Sequence, residues 1–266
     1  MDRRRFLSLL AKMSLFGYAA ITANGKILGT TTTIHSYNPA DCDVFFLIEP
    51  LRFFGKQIIT LTKDDINSLR MFPVTFGNNP HVQSVSLSNG DDFVLATTCA
   101  DYENALETGY SARTTFDITM ESWLKHYCTL LHFLSFARRP LENNISGSSF
   151  DCVSEWPATM LPKPSDRVDT QSGKTICQLV DFNDLNISRS YNRLTIARDE
   201  MNYLYVEAAK ADFSGHKSDE FFIYRYISSS SGTFRFSDCV ILSRDLESSG
   251  FIARGASLNS KSPEKT

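Results

Sequence analysis

Residues 120–138 read MESWLKHYCTLLHFLSFAR and carry the strongest helical pattern in the chain. Large apolar residues recur there at helical intervals and give the predicted helix one broad apolar face: Trp123, Tyr127, Leu130, Leu131 and Leu134. Thr119 is placed to cap its N-terminus, and Pro140 ends it. A helix with one apolar face needs a second layer of structure to cover that face.

The residues before this helix predict a mixed region of short strands and one short helix. Apolar runs predict strands at residues 43–49 and 56–61. Thr62 and Asp65 have capping-box spacing, which predicts a helix over residues 63–70. Residues 82–88 and 92–98 flank Asn89-Gly90, so we predict a hairpin with a tight turn there.

The residues after the helix predict a long connection and then a sheet. Residues 141–174 are rich in proline, serine and asparagine, which is typical of a functional loop or a linker, with Trp156 pinned onto the body. Strand patterns follow at polar intervals and suit an antiparallel meander: 175–182, 193–197, 203–208, 221–227 and 233–242. Helical spacing over residues 201–210 leaves a helix open there.

These patterns predict an α+β protein with one long helix and a hairpin in a first lobe and an antiparallel β-rich second lobe. The predicted divisions are an export signal (1–25), a leader (26–39), a mixed lobe (40–140), a loop or linker (141–174), a β-rich lobe (175–254) and a disordered tail (255–266).

The N-terminus has the layout of an export signal. Residues 2–8 read DRRRFLS and precede a moderately apolar run with small residues at its end. The order of Arg3, Arg4, Phe6 and Leu7 resembles a twin-arginine translocation (Tat) signal. That resemblance implies a Tat translocon as partner, folding before export, and a periplasmic or secreted protein.

The resemblance covers only the first two dozen residues. Asp2 stands where the signal usually has a hydroxyl residue, and Ser8 where lysine is frequent. Two alternatives remain: an uncleaved N-terminal membrane anchor and a basic amphipathic helix on a membrane surface. After the signal, no apolar run is long enough to span a bilayer.

Composition narrows the class of protein. Hydrophobic residues make up 42% of the 266 residues, which is typical of a globular chain. The net charge of −3, without a basic tract after the signal, argues against nucleic-acid binding. Six cysteines invite disulfides in an oxidising compartment, but buried free thiols explain them as well. If the chain folds before export, any disulfides form late or use exposed thiols.

The familiar motifs of catalytic and nucleotide sites are missing from the sequence. Cys128 and His132 lie one helical turn apart and are weak metal ligands, short of the set that zinc needs. Asp101 and Glu103 follow a predicted strand, where side chains converge on pockets. His81, in a loop, is a further candidate base. Solvated loop charge is the alternative for all three of these residues.

Two classes of function fit these patterns best, and a secreted factor that acts on another cell is a third possibility. The first is a binding or accessory protein for an exported enzyme or envelope complex, which predicts an exposed apolar or aromatic patch. The second is an exported oxidoreductase or hydrolase with its site between the lobes, which predicts that Asp101, Glu103 or a histidine points into a deep pocket. The sequence does not identify a cofactor.

Overall fold

The fold was analysed in a computed structural model that describes residues 44–53, 56–74, 84–141, 147–162, 173–231, 234–244 and 250–258. The protein is α+β, with a mostly antiparallel sheet and a β-rich second part, as the sequence predicts. The described residues all belong to one compact unit.

Ten strands and four helices make up the described regular structure, with three short 3-10 helices. The strands are β1 (Val44–Phe53), β2 (Lys56–Thr62), β3 (Val85–Asn89), β4 (Asp92–Ala96), β5 (Asn186–Ser190), β6 (Arg193–Arg198), β7 (Met201–Ala211), β8 (Glu220–Ser229), β9 (Arg235–Arg244) and β10 (Phe251–Ala256). The helices are α1 (Lys63–Arg70), α2 (Cys99–Glu107), α3 (Thr115–Phe136) and α4 (Ile176–Leu179). The 3-10 helices are Ser149–Glu155, Ala158–Met160 and Phe182–Asp184.

Eight of the strands form one sheet, in the order β10-β9-β8-β7-β1-β2, with β6 also paired to β7 and β5 paired to β6. Strand β7 is shared along its length: its first half pairs with β6, and Ala209 near its end pairs with Leu47 of β1. Strands from the predicted first and second lobes therefore belong to the same sheet.

The sheet has two covered faces, because side chains alternate along each strand. We call one the segment face: its side chains pack beneath residues 149–161, where the Trp156 ring lies 5.2 Å from that of Tyr205. We call the other the helix face: it lies against α3, where the Phe133 ring lies 5.8 Å from that of Phe222. Tyr203 and Tyr205 lie on the segment face, and Tyr224 and Tyr226 on the helix face.

The central part of the predicted loop, residues 149–161, packs its large apolar side chains onto the sheet. Glu207 of β7 is buried and accepts hydrogen bonds from the Ser148 hydroxyl (2.8 Å) and from the Ser149 amide (2.7 Å). Trp156 is fully buried and donates its indole N–H to the Ser149 carbonyl. The prediction that Trp156 is pinned onto the body is confirmed.

The predicted hairpin is confirmed as β3 and β4, but its turn is displaced by one residue. Asn89 pairs with Asp92, so Gly90 and Asp91 are the turn residues. Gly90 adopts a φ of +67°, which glycine accommodates without strain. Val85 and Leu87 are fully buried on the inner face of the hairpin.

Helix α1 is confirmed with its cap. The Thr62 hydroxyl accepts from the Asp65 amide at 3.2 Å, and the Asp65 carboxylate accepts from the Thr62 amide at 2.9 Å. Strand β7 settles the ambiguity over residues 201–210 in favour of a strand, because it pairs along its length with β8.

Three local predictions are wrong. Residues 175–182 form α4 and the start of a 3-10 helix instead of a strand, because Thr175 and Gln178 form a capping box. Helix α3 begins earlier than predicted, at Thr115, because the Thr114 hydroxyl accepts from the Asp117 amide and acts as the cap. Strand β10 extends through Ala256, past the predicted start of the tail.

Candidate functional site

Several predicted functional residues lie outside the described part of the chain. These are the signal residues Arg3, Arg4, Phe6 and Leu7, and the candidate base His81. Among the described residues, no helix is both long enough and apolar enough to span a bilayer.

Asp101 serves as a helix cap. It lies in the first turn of α2, and its carboxylate accepts from the Thr97 hydroxyl (3.0 Å) and from the Thr97 and Thr98 amides (3.2 and 3.0 Å). Partial burial alone would raise the pKa of Asp101, but these hydrogen bonds outweigh burial and lower it. All three bonds use Oδ2 and hold the start of α2, so the structure gives Asp101 a capping role.

Cys128 is part of a disulfide. Its sulfur is bonded to Cys99, the first residue of α2, so it is not a thiolate that can bind a metal. Both cysteines are fully buried. Cys128 is therefore excluded from the weak metal-ligand pair that its spacing to His132 allowed. The described residues contain no cluster of three or more potential metal ligands.

Glu103 and His132 meet in a small pocket. The cavity holds about 160 Å³ and is lined by Arg70 of α1, by Glu103, Leu106 and Glu107 of α2, by His132 of α3 and by Leu258. Glu103 forms an ion pair with Arg70. The cavity is smaller than the about 300–1,000 Å³ typical of drug-sized ligands, so it suits only a small molecule.

His126 of α3, which the sequence analysis did not single out, is the histidine whose pKa the fold shifts strongly. Its ring is buried, stacks on Tyr224 with centroids 5.0 Å apart, and has Nδ1 within 2.9 Å of the Tyr226 hydroxyl. Burial, and to a lesser extent the charge of Lys125, lower the pKa of His126 to about 3. Nε2 is buried without a hydrogen-bond partner among the described residues.

This arrangement does not suit general-base catalysis near neutral pH. A base with a pKa of about 3 binds protons weakly, and a buried ring offers no access to a substrate. Its position was detectable in the sequence, because His126 lies three residues after Trp123 and four before Leu130, beside the apolar face.

The apolar face of α3 is buried along only part of the helix. Tyr127, Leu130 and Leu134 are at most 8% exposed, whereas Trp123 is 52% exposed and Phe116 is 70% exposed. The prediction that Trp123 belongs to the buried face is therefore only half right. Its ring centroid lies 6.5 Å from that of Tyr226, at the edge of the covered region.

Strand β8, which lies beneath α3, explains where burial of the apolar face of α3 ends. Tyr226 is the last aromatic residue on the helix face of β8, and the next residue on that face is Ser228. Beyond Tyr226, strand β8 therefore offers no large apolar side chain to the first turns of the helix. We call Phe116, Met120 and Trp123 the α3 stripe; they are spaced at i, i+4 and i+7, with Phe116 and Trp123 exposed and Met120 half-buried between them.

Comparisons with known proteins add no further identification: no protein-family model, no curated protein and no solved structure matches the chain.

Proposed function

We propose that this chain is an exported protein of the cell envelope that acts by binding a partner protein through the α3 stripe. The observation that carries this proposal is the exposure of Phe116 and Trp123 on the same helical face that forms the core one turn later. The alternative, an exported enzyme, is supported among the described residues by the small pocket around Glu103.

The chemistry of the α3 stripe suits a protein interface. Aromatic and methionine side chains are enriched at the centres of such interfaces, and tryptophan is common among the residues that dominate binding energy. Three apolar residues at i, i+4 and i+7 on one helix form a continuous strip that a groove or a second helix can cover.

The charged residues beside the α3 stripe favour a protein over a membrane surface as its binding partner. Asp117, Glu121 and Lys125 lie on the same half of α3, so both signs of charge are present. Helices that bind anionic membrane surfaces instead carry a predominantly basic polar face.

The disulfide supports the exported location. Structural disulfides form and persist mainly in oxidising compartments, such as the periplasm, and the Cys99–Cys128 bond joins two helices of the core. Together with the resemblance of residues 2–8 to a Tat signal, it supports the proposal that the chain functions outside the cytoplasm.

The burial of this disulfide bears on the route of export. A chain that folds before crossing was expected to use exposed thiols or to oxidise late, yet both sulfurs belong to fully buried residues. An oxidant reaches them only while α2 and α3 are apart. Under a Tat route, the reduced chain must therefore open locally after export to form the bond.

Site-specific photocross-linking in the native host tests the binding proposal. A photoreactive residue is placed at position 116 or 123, and at position 191 as the control, because Tyr191 is 87% exposed and belongs to the β5–β6 turn instead of α3. We expect positions 116 and 123 to give one discrete protein adduct that position 191 does not give.

The adduct must then be confirmed with purified components. The cross-linked protein, purified separately, should bind the full chain in calorimetry and bind the Trp123→Ser variant at least about tenfold more weakly, which is one 1.4 kcal/mol contact. No adduct, adducts shared with position 191, or adducts only with lipid would overturn the partner-protein proposal.

Export is tested independently of binding. We expect Arg3→Lys with Arg4→Lys to keep the chain in the cytoplasm, because the paired arginines are the feature that the translocon reads. Cell fractionation followed by immunoblotting measures the exported share. If the exported fraction is unchanged, the Tat route is excluded, and the membrane-anchor and Sec-type alternatives are left.

A further inference from the structure

We propose that the pocket between α1, α2 and α3 binds a small α-amino acid, at a site separate from the α3 stripe. The pocket holds about 160 Å³, and four of its six lining side chains are polar or ionisable: Arg70, Glu103, Glu107 and His132. A site that combines a guanidinium with two carboxylates matches a ligand that carries both charges.

The Arg70–Glu103 ion pair leaves two groups unused. One contact joins an Arg70 terminal nitrogen to Glu103 Oε2, while Arg70 Nε and Glu103 Oε1 are buried without hydrogen-bond partners among the described residues. A guanidinium and a carboxylate can make two parallel bonds, so this pair makes half of them. Buried polar groups without partners destabilise the protein, which favours a molecule that satisfies them.

An α-amino acid satisfies both groups at once. Its carboxylate accepts a hydrogen bond from Arg70 Nε–H, and its ammonium group, two bonds away, donates to Glu103 Oε1. Both protein atoms are shielded from water, so binding requires a shift of the Arg70 side chain, which is 28% exposed. Glu107 follows Glu103 by one helical turn on α2 and provides a second acceptor for the ammonium group.

The dimensions of the pocket limit the ligand to a short side chain. Leu106 and Leu258 form its apolar wall, so a methyl or hydroxymethyl group fits better than a long or charged one. Glycine, alanine and serine are therefore the appropriate probes.

Calorimetric titration of the full chain at neutral pH tests the inference. Alanine and serine are compared with acetate and methylammonium, which carry one charged group each, and with acetamide, which offers a neutral acceptor and donor. We expect the amino acids to bind at least about tenfold more tightly than either single-charge probe, because only they engage both Arg70 and Glu103.

Two variants and a control locate the binding. Glu107→Gln, at an exposed position, should weaken alanine binding by about tenfold through the loss of a charge-assisted contact. Leu106→Trp should fill the cavity and abolish binding, with circular dichroism confirming that the variant is folded. Asp184→Asn, on an exposed 3-10 helix away from the pocket, should bind normally.

Three results would overturn the inference: no binding of any amino acid at millimolar concentration, equal binding of amino acids and single-charge probes, or binding that survives both Glu107→Gln and Leu106→Trp. Tighter binding of acetamide than of alanine would replace the zwitterion with a neutral amide as the ligand class. None of these outcomes depends on the α3 stripe or on export.

Discussion

The two halves of helix α3 share one apolar face but have different surroundings. In the C-terminal half, Leu130 and Leu134 are fully buried against the sheet and the neighbouring helices. In the N-terminal half, Phe116 and Trp123 are more than half exposed. The difference shows that helical periodicity identifies an apolar face but does not show which part of it is buried. Burial depends on how far the neighbouring strand continues to present apolar side chains.

His126 lies at the boundary between the two halves. Its ring is buried with the C-terminal half, but its Nδ1 contacts the hydroxyl of Tyr226, whose ring also approaches the exposed Trp123. Substitutions in each half of α3, and at His126, should therefore change the stability of the protein in different ways.

The largest expected loss of stability comes from a substitution that opens a cavity in the buried half of α3. Leu134→Ala removes a fully buried side chain and should lower the free energy of unfolding by about 2–5 kcal/mol. Denaturant unfolding followed by circular dichroism measures the change. A loss below about 1 kcal/mol would mean that α3 is not packed as described.

Removal of the Cys99–Cys128 disulfide should cause the next largest loss of stability. It closes a loop with a sequence separation of 29 residues, and the pair Cys99→Ala with Cys128→Ala should destabilise the protein by about 3 kcal/mol. The same denaturation experiment, with and without reductant, checks this. Unchanged stability on adding reductant, with free thiols confirmed by mass spectrometry, would show that the bond does not support the fold.

Acid should destabilise the folded protein through protonation of His126 in the unfolded chain. The folded-state pKa of His126 is about 3, below its ordinary value of 6.5, so between these values the unfolded chain binds a proton that the folded chain excludes. Stability is therefore full above pH 6.5 and falls as the pH drops towards 3. We expect a loss of about 1.5 kcal/mol between about pH 6.5 and pH 5.

His126→Gln is the control for this pH effect, because glutamine does not titrate. Burial raises the pKa of Glu220 despite the nearby Arg254 charge, and its protonation stabilises the folded state over part of the same range. The difference in slope between the wild type and His126→Gln therefore isolates the histidine. Equal slopes would contradict the buried, neutral imidazole.

Local signals predicted much of the fold. The Thr62–Asp65 capping box and the turn-forming Gly90 act through neighbouring residues, so α1 and the hairpin were accessible from the sequence. The same signal was present at Thr98 and Asp101, but Asp101 was interpreted as a site residue and α2 was missed. A short apolar run such as 175–182 does not distinguish a strand from a buried helix, which explains the error there.

The candidate site was harder to predict because it depends on long-range packing. Glu103 and His132 were identified singly, yet nothing in the sequence showed that Arg70 joins them, since these residues come from three different helices. The exposure of Trp123 depends on Ser228, about a hundred residues later, occupying the next position on the helix face of β8. The disulfide partner of Cys128 was likewise open, because any of the five other cysteines could pair with it and the six together allow fifteen connectivities.

The most direct test of the central claim compares Trp123→Ala with Leu130→Ala in the free energy of unfolding. Both residues lie on one face of α3, seven positions apart, but only Leu130 is fully buried. We predict a loss of about 2–5 kcal/mol for Leu130→Ala and less than about 1 kcal/mol for Trp123→Ala. Equal losses would place Trp123 in the core, and the α3 stripe would then not be a surface available to a partner.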